Sequence, residues 1–274
     1  MTTIKKSMIG FVCFAIMLLS SCSAKQTGSQ STTQRVSQYS IASQENDIIA
    51  FYDENVESTV RKLLRKTPED SINKEDMLSF EDFSFAGYMQ DGAEPGEDFR
   101  ISIIDLRNAK NLTKLALWDC DIQDLTPLNS ISGLRSLRLS GCTLSNLSLL
   151  APMEELEEVS LYRSFSADSL AFLSNSVKLN HLDITYTSIC DISPLAGTEM
   201  LEVLKAAYVP INDFSALKGL KNLKYLLCSA SDEDIPVLSE LKSLEELCLI
   251  DSFISEKELS GLQKALPNTT IVVS

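Results

Sequence analysis

The sequence predicts an α/β solenoid: short parallel strands stacked coil on coil into one sheet, a 3₁₀ or irregular return side, and a helical cap at each end. Three observations predict it. An apolar pattern recurs about every 22 residues, each unit leaves too little chain for a full return helix, and both flanks of the repeats show helical spacing.

The units open at Leu112, Leu134, Leu156, Leu179, Leu201, Leu223 and Leu244, spaced 22, 22, 23, 22, 22 and 21 residues apart. Counting each of these leucines as position 1, position 4 is always apolar: Leu115, Leu137, Val159, Leu182, Leu204, Leu226 and Leu247. Position 6 is Leu117, Leu139, Leu161, Ile184, Ala206, Cys228 and Leu249. Side chains alternate along a strand, so positions 4 and 6 share the inner face while 3, 5 and 7 look outward. One coil cannot bury its own leucines, and stacking closes a continuous core.

After each strand the chain must return. Ile122, Leu144, Ile189, Ile211 and Ile254 follow the strands, and segments such as D-L-T-P-L (Asp124 to Leu128) and D-I-S-P-L (Asp191 to Leu195) come next. Pro127 and Pro194 suit the start of a short 3₁₀ turn, where a fixed φ helps and a missing N–H costs little. Position 9 reads Cys120, Cys142, Ser164, Thr187, Val209, Ser231 and Ser252, small groups that fit under the strand-to-loop corner. Five cysteines follow Cys22, an odd number that favours buried thiols over a Cys120–Cys142 disulfide.

An open solenoid must cover its ends. The spacing of Val56, Val60, Leu63 and Leu64 predicts a helix within residues 55–66, and Asn73 suits the N-cap of a second, short one. Phe80, Phe83 and Phe85 fit positions 1, 4 and 6 of a degenerate first repeat, followed by a Gly- and Pro-containing insertion over residues 86–99. At the other end Ser255 and Glu258 read as a capping box, with Leu259, Leu262 and Leu266 as the stripe of a helix. Leu266, Thr269 and Ile271 then read as positions 1, 4 and 6 of a last strand.

The LxxLxL repeat with its I.D..PL return, preceded by V..LL.K and I.KEDM, resembles internalin-type bacterial leucine-rich repeat proteins over about residues 48–274. The ending LPNTTIVVS resembles those of ribonuclease-inhibitor-like repeats. Position 9 lacks the usual asparagine ladder, and the units at Leu156 and Leu223 have irregular return halves. The resemblance implies a surface-exposed protein binder and no particular receptor.

Ahead of the repeats, MTTIKK and the apolar run IGFVCFAIMLL read as a signal segment too short to span a bilayer as a stable helix. It ends in Leu19-Ser20-Ser21-Cys22, which resembles a bacterial lipobox. Against an ordinary signal peptide or a retained anchor, the tetrad and its polar sequel favour lipidation of Cys22. The expected anchor is then an N-terminal lipid, where many internalins use a C-terminal cell-wall signal. The expected organisation is a signal peptide over 1–21, a Ser/Gln/Thr-rich tether over 22–47, a helical cap and degenerate repeat over 48–111, and repeats with a C-terminal cap over 112–274. Such a tether holds the domain about 25–30 Å from its anchor by the random-coil estimate. The expected location is extracytoplasmic, on a cell membrane.

Net charge is −14, which argues against nucleic acid as a partner, since phosphate binding needs surplus Lys and Arg. Function should sit on the outward, concave face. Its candidate ligand-binding residues are Trp118, Arg138, Tyr162, Arg163, His181, Asp183, Tyr186, Tyr208, Tyr225, Leu227 and Ile250. Trp118, Tyr162, Tyr186 and Tyr208 should line one edge, with Val203, Leu227, Cys248 and Ile250 making the C-terminal end apolar. Tyr, Trp and Arg are the types that most often carry binding energy. A triad drawn from Ser160, His181 and Asp183 would lie on a flat solvated sheet with no oxyanion hole, so no enzyme is expected. No metal, phosphate or dinucleotide motif is present, and no cofactor is expected. Three readings follow: a tethered binder of a protein or peptide, an envelope lipoprotein with an idle concave face, and a carbohydrate binder that uses the aromatic edge.

Overall fold

The computed structural model describes residues 47–87 and 99–274. The signal segment, Cys22, nearly all of the tether and most of the insertion fall outside them.

Nine parallel strands form one sheet in the order β1 (Asp82–Ala86), β3 (Lys114–Trp118), β5 (Ser136–Ser140), β7 (Glu158–Ser160), β8 (His181–Asp183), β9 (Val203–Ala206), β10 (Tyr225–Cys228), β11 (Glu246–Leu249) and β12 (Thr270–Val273). From β3 to β11 the register matches like with like: Lys114, Ser136, Glu158, His181, Val203, Tyr225 and Glu246 follow one another as paired position-3 residues. In each of these units the N–H groups of positions 2 and 3 both donate to the position-2 carbonyl of the unit before, as Arg135 and Ser136 do to Thr113. Every position-4 and position-6 side chain of the seven units is at most 1 % exposed, so the leucine pattern is the core.

The return side is built of 3₁₀ segments, among them Thr126–Ser130, Ser193–Gly197 and Ser215–Gly219, with Pro127 and Pro194 in the first turn of theirs. Asp124, Asp191 and Asp213 accept the N–H two residues on, at 2.9, 2.8 and 2.7 Å, so the turn entry carries no unpaired donor there. Two features were not anticipated. The Leu223 unit returns through a single helical turn (Ile235–Leu238), and a second, three-stranded parallel sheet joins β2 (Phe99–Arg100), β4 (Cys120–Ile122) and β6 (Thr143–Leu144) beyond the corner. The cysteines of the described residues are free thiols, and Cys190 is exposed. At position 9, Ser164 Oγ donates to Leu139 O at 2.6 Å and accepts Cys142 N–H at 3.0 Å. The hydroxyl thus does the work usually given to asparagine.

Helix α1 (Glu54–Leu64) covers the first strand with Val56 and Val60 buried, while Leu63, expected on the same stripe, is exposed. Asp53 caps it, accepting Asn55 and Val56 N–H on one oxygen and Ser102 N–H on the other. Asn73 and Asp76 form a reciprocal capping box on α2 (Lys74–Met77). Phe83 and Phe85 pair with Leu115 and Leu117, as a degenerate first repeat requires.

At the C-terminus two expectations are corrected. Ser255 caps α3 (Glu256–Ala265) by accepting Glu258 N–H, but the box is only half made: Ser255 N–H goes to Asp232 and the Glu258 carboxylate to Lys257. The last strand is also shifted by two residues. Ile271 pairs with Leu247 at position 4 and Val273 with Leu249 at position 6. In this register Thr270 N–H, at position 3, donates to Glu245 O as in the preceding units, while Thr269 N–H, at position 2, turns back to Leu266 O.

Candidate functional site

Position 8 closes each strand, and its backbone sets the site. Asp119, Gly141, Arg163, Tyr186, Tyr208 and Asp251 all have φ between 49° and 67° there; Ala230 alone does not. Left-handed backbone suits Gly, and Asp tolerates it, but it strains Arg and Tyr. Three adjacent central units therefore carry bulky side chains at a corner that glycine would occupy without strain.

Those side chains form a ridge. Tyr186 and Tyr208 stack with ring centroids 4.6 Å apart and planes 6° from parallel. Tyr162 meets Tyr186 edge-on at 6.3 Å, and Phe165 does so at 6.4 Å. Tyr162, Tyr208 and Phe165 remain 40 %, 45 % and 61 % exposed, so the cluster is a surface feature and not a satellite core. Sequence reasoning found the tyrosines and missed Phe165, which sits in the loop after the strand. Contact with the ridge raises the Tyr186 hydroxyl pKa, through desolvation first and the Tyr208 hydroxyl second.

Trp118 does not join the ridge, contrary to expectation. Ser140 and Gly141 of the intervening unit leave a gap between it and Tyr162. It lines instead a depression of about 220 Å³ shared with Arg138, Ser140, Glu158, Ser160, His181 and Asp183. Arg138 donates to Glu158 at 2.8 Å, with both side chains about half exposed, and the Ser140 and Ser160 hydroxyls meet at 3.3 Å. Asp183 Oδ1 accepts Thr185 N–H at 3.0 Å. No hydrogen bond joins His181 to Ser160 or Asp183 among the described residues, so the triad drawn from the sequence is not assembled. Burial, and Lys205 after it, hold the His181 pKa below its ordinary value.

The C-terminal end of the face is less exposed than the sequence suggested. Cys248 is buried: its thiol donates to Glu246 Oε1 at 3.2 Å and lies 3.7 Å from the Tyr225 hydroxyl. Desolvation, with that contact second, pushes the Tyr225 pKa up to about 12. Val203, Leu227 and Ile250 are half-buried, leaving a shallow apolar margin. Between ridge and depression, Thr185 buries a hydroxyl without a partner among the described residues.

The fold is a leucine-rich repeat solenoid. A solved structure of internalin C2 from Listeria monocytogenes is similar to it at TM-score 0.69 and 26 % identity, over 82 % of this chain and 94 % of that one. A structure of an internalin, InlF, from the same species matches at TM-score 0.59 and 21 % identity, over 82 % and 71 %. No protein-family model and no curated protein matches the chain. The repeats are thus internalin-like, and they lack an asparagine ladder at position 9, as the sequence indicates. No helix of the described residues is long and apolar enough to cross a membrane.

Proposed function

We propose that this leucine-rich repeat domain binds a protein or peptide through the outward face of its sheet, on the extracytoplasmic side of a membrane to which Cys22 tethers it. The ridge of Tyr162, Arg163, Phe165, Tyr186 and Tyr208 carries the reading. Exposed aromatic side chains clustered with Arg are the usual anchors of protein interfaces, and here Arg163, Tyr186 and Tyr208 are kept at a strained backbone position. Nine strands about 4.8 Å apart give a face roughly 40 Å long, the scale of a standard interface. Arg138, His181, Asp183, Tyr225, Leu227 and Ile250 extend the surface beyond the ridge, and Trp118 bounds it. The internalin-like repeats favour a binding module over a catalyst.

Lipidation of Cys22 rests on the lipobox-like tetrad, and residues 22–47 serve as the tether. The signal peptide (1–21), cap (48–111) and repeats (112–274) complete the organisation. No cofactor, metal or nucleic acid enters this function.

Photo-crosslinking residues installed at 162 and 208 in the intact producing cell should trap a discrete protein, while one at Leu149 on the return side should not. Equal yields from both sides, or none from the ridge, would refute the reading and favour the idle-face lipoprotein.

A further inference from the structure

We infer that the depression beside Trp118 is a binding site for a single neutral sugar ring. The inference goes beyond the protein-binding reading and does not depend on it. The cavity's size sets the first limit: about 220 Å³ lies below the roughly 300–1,000 Å³ of sites that take drug-sized ligands, so the guest is about one ring.

The lining chemistry sets the second. Arg138 stands on one side and pairs with Glu158 at 2.8 Å; Asp183 adds a second carboxylate. A cationic guest meets Arg138, and an anionic guest meets two carboxylates, so neither sign enters without a like charge. An apolar guest would leave charged groups unpaired, at a cost that polar sites use to reject such analogues. A polyhydroxylated ring satisfies both kinds. Its hydroxyls accept from Arg138 and donate to Asp183, of which one oxygen already holds Thr185 N–H. Ser140 and Ser160, whose hydroxyls meet only each other, can each give and take a further bond. The His181 imidazole lines the cavity too and in its uncharged form offers one donor and one acceptor. The Trp118 indole lines the same cavity and supplies an apolar surface for the C–H face of the ring.

The position in the sheet explains why the cavity exists. Ser140 and Ser160 are small residues between Trp118 and Asp183, while Arg138, Glu158 and His181 bound them on the side of positions 3 and 5. A large residue at 160 would fill the floor without touching the core, because Val159 and Leu161 point inward.

Trp118 is the only tryptophan in the chain, so fluorescence excited selectively at the indole, beyond the tyrosine absorption band, reports from this cavity. The folded chain is titrated into the tens of millimolar with the methyl glycosides of glucose, galactose, mannose and N-acetylglucosamine. Nα-acetyl-lysinamide and acetate serve as cationic and anionic controls. The expected result is a saturable change with at least one glycoside and none with either ion. Ser160→Leu should abolish it, and Asp183→Asn should weaken it roughly tenfold to a hundredfold, the range of a lost charged hydrogen bond. Circular dichroism checks that both variants fold; should one fail, the other carries the test. Tyr208→Asn should leave the response intact, which separates this site from the ridge. A failed ridge crosslink beside a glycoside response refutes only the protein-binding reading. No saturable response to any glycoside, an unchanged response in Ser160→Leu, or a larger response to the lysine derivative overturns the sugar site.

Discussion

Replacing Arg163 with glycine should make this protein more stable. Arg163 has φ 59°, and left-handed backbone costs an L-residue about 1–2 kcal/mol. Its N–H bond to Thr185 O at 3.0 Å survives the change, and its side chain is exposed, so little contact is lost. Glycine loosens the unfolded chain, which takes back about 0.4–1 kcal/mol. The net gain lies between about 0 and 1.6 kcal/mol, with a midpoint of about 0.8 kcal/mol or about 2–3 °C in Tm for a domain of this size. The converse change tests the same corner. Gly141 has φ +67°, and an added Cβ would run into the Asp119 carboxylate, so Gly141→Ala should lower Tm by at least ~2 °C. Differential scanning calorimetry on the folded domain reads both. A lower Tm for Arg163→Gly, or no cost for Gly141→Ala, would show that position 8 is not strained and remove the argument that the ridge is held against stability. The stabilised Arg163→Gly protein should also capture its partner less well.

Three further outcomes are expected. Thr185→Val removes a buried hydroxyl without a partner among the described residues while keeping the β-branched shape, and should raise urea stability by about 1 kcal/mol; destabilisation would reveal a bond the structure lacks. His181 is the only histidine in the chain, so its two ring C–H signals follow a single titration, with a pKa below its ordinary value because burial and Lys205 disfavour the charged form. With the folded value depressed, its contribution is full above the unfolded pKa and is lost as pH falls through the folded one; His181→Gln should remove that part of the acid dependence. Cys22→Ala should move the protein from the membrane to the soluble fraction and abolish labelling by a fatty-acid analogue; unchanged membrane association would refute the lipid tether.

The inner face was legible in the sequence because alternation makes positions 4 and 6 answer to one requirement, burial, which only apolar residues meet. The corner was not. Among the position-8 residues only Gly141 advertises a positive φ, since Tyr186, Tyr208 and Arg163 carry no local signal for a conformation the neighbouring coils impose. Phe165 escaped because it lies past the strand, where the fixed pattern ends and the unit runs to 23 residues. Trp118 was assigned to the aromatic edge by its position number, yet ring contacts need neighbours on adjacent strands, and β5 offers serine and glycine there. The last strand was misplaced because leucine spacing alone was weighed; the chain past Leu266 is two residues longer before it pairs, so Ile271 and Val273 take positions 4 and 6.

Partner capture by face-specific variants tests the central claim most directly. One variant combines Arg138→Glu, Arg163→Glu, Tyr162→Ala and Tyr208→Ala on the outward face; the other alters Ser148 and Leu149 on the return side to Glu. Quantitative mass spectrometry of proteins recovered with each should show the partner lost from the first and kept by the second. Retention by the outward-face variant, with its fold intact, would contradict the account.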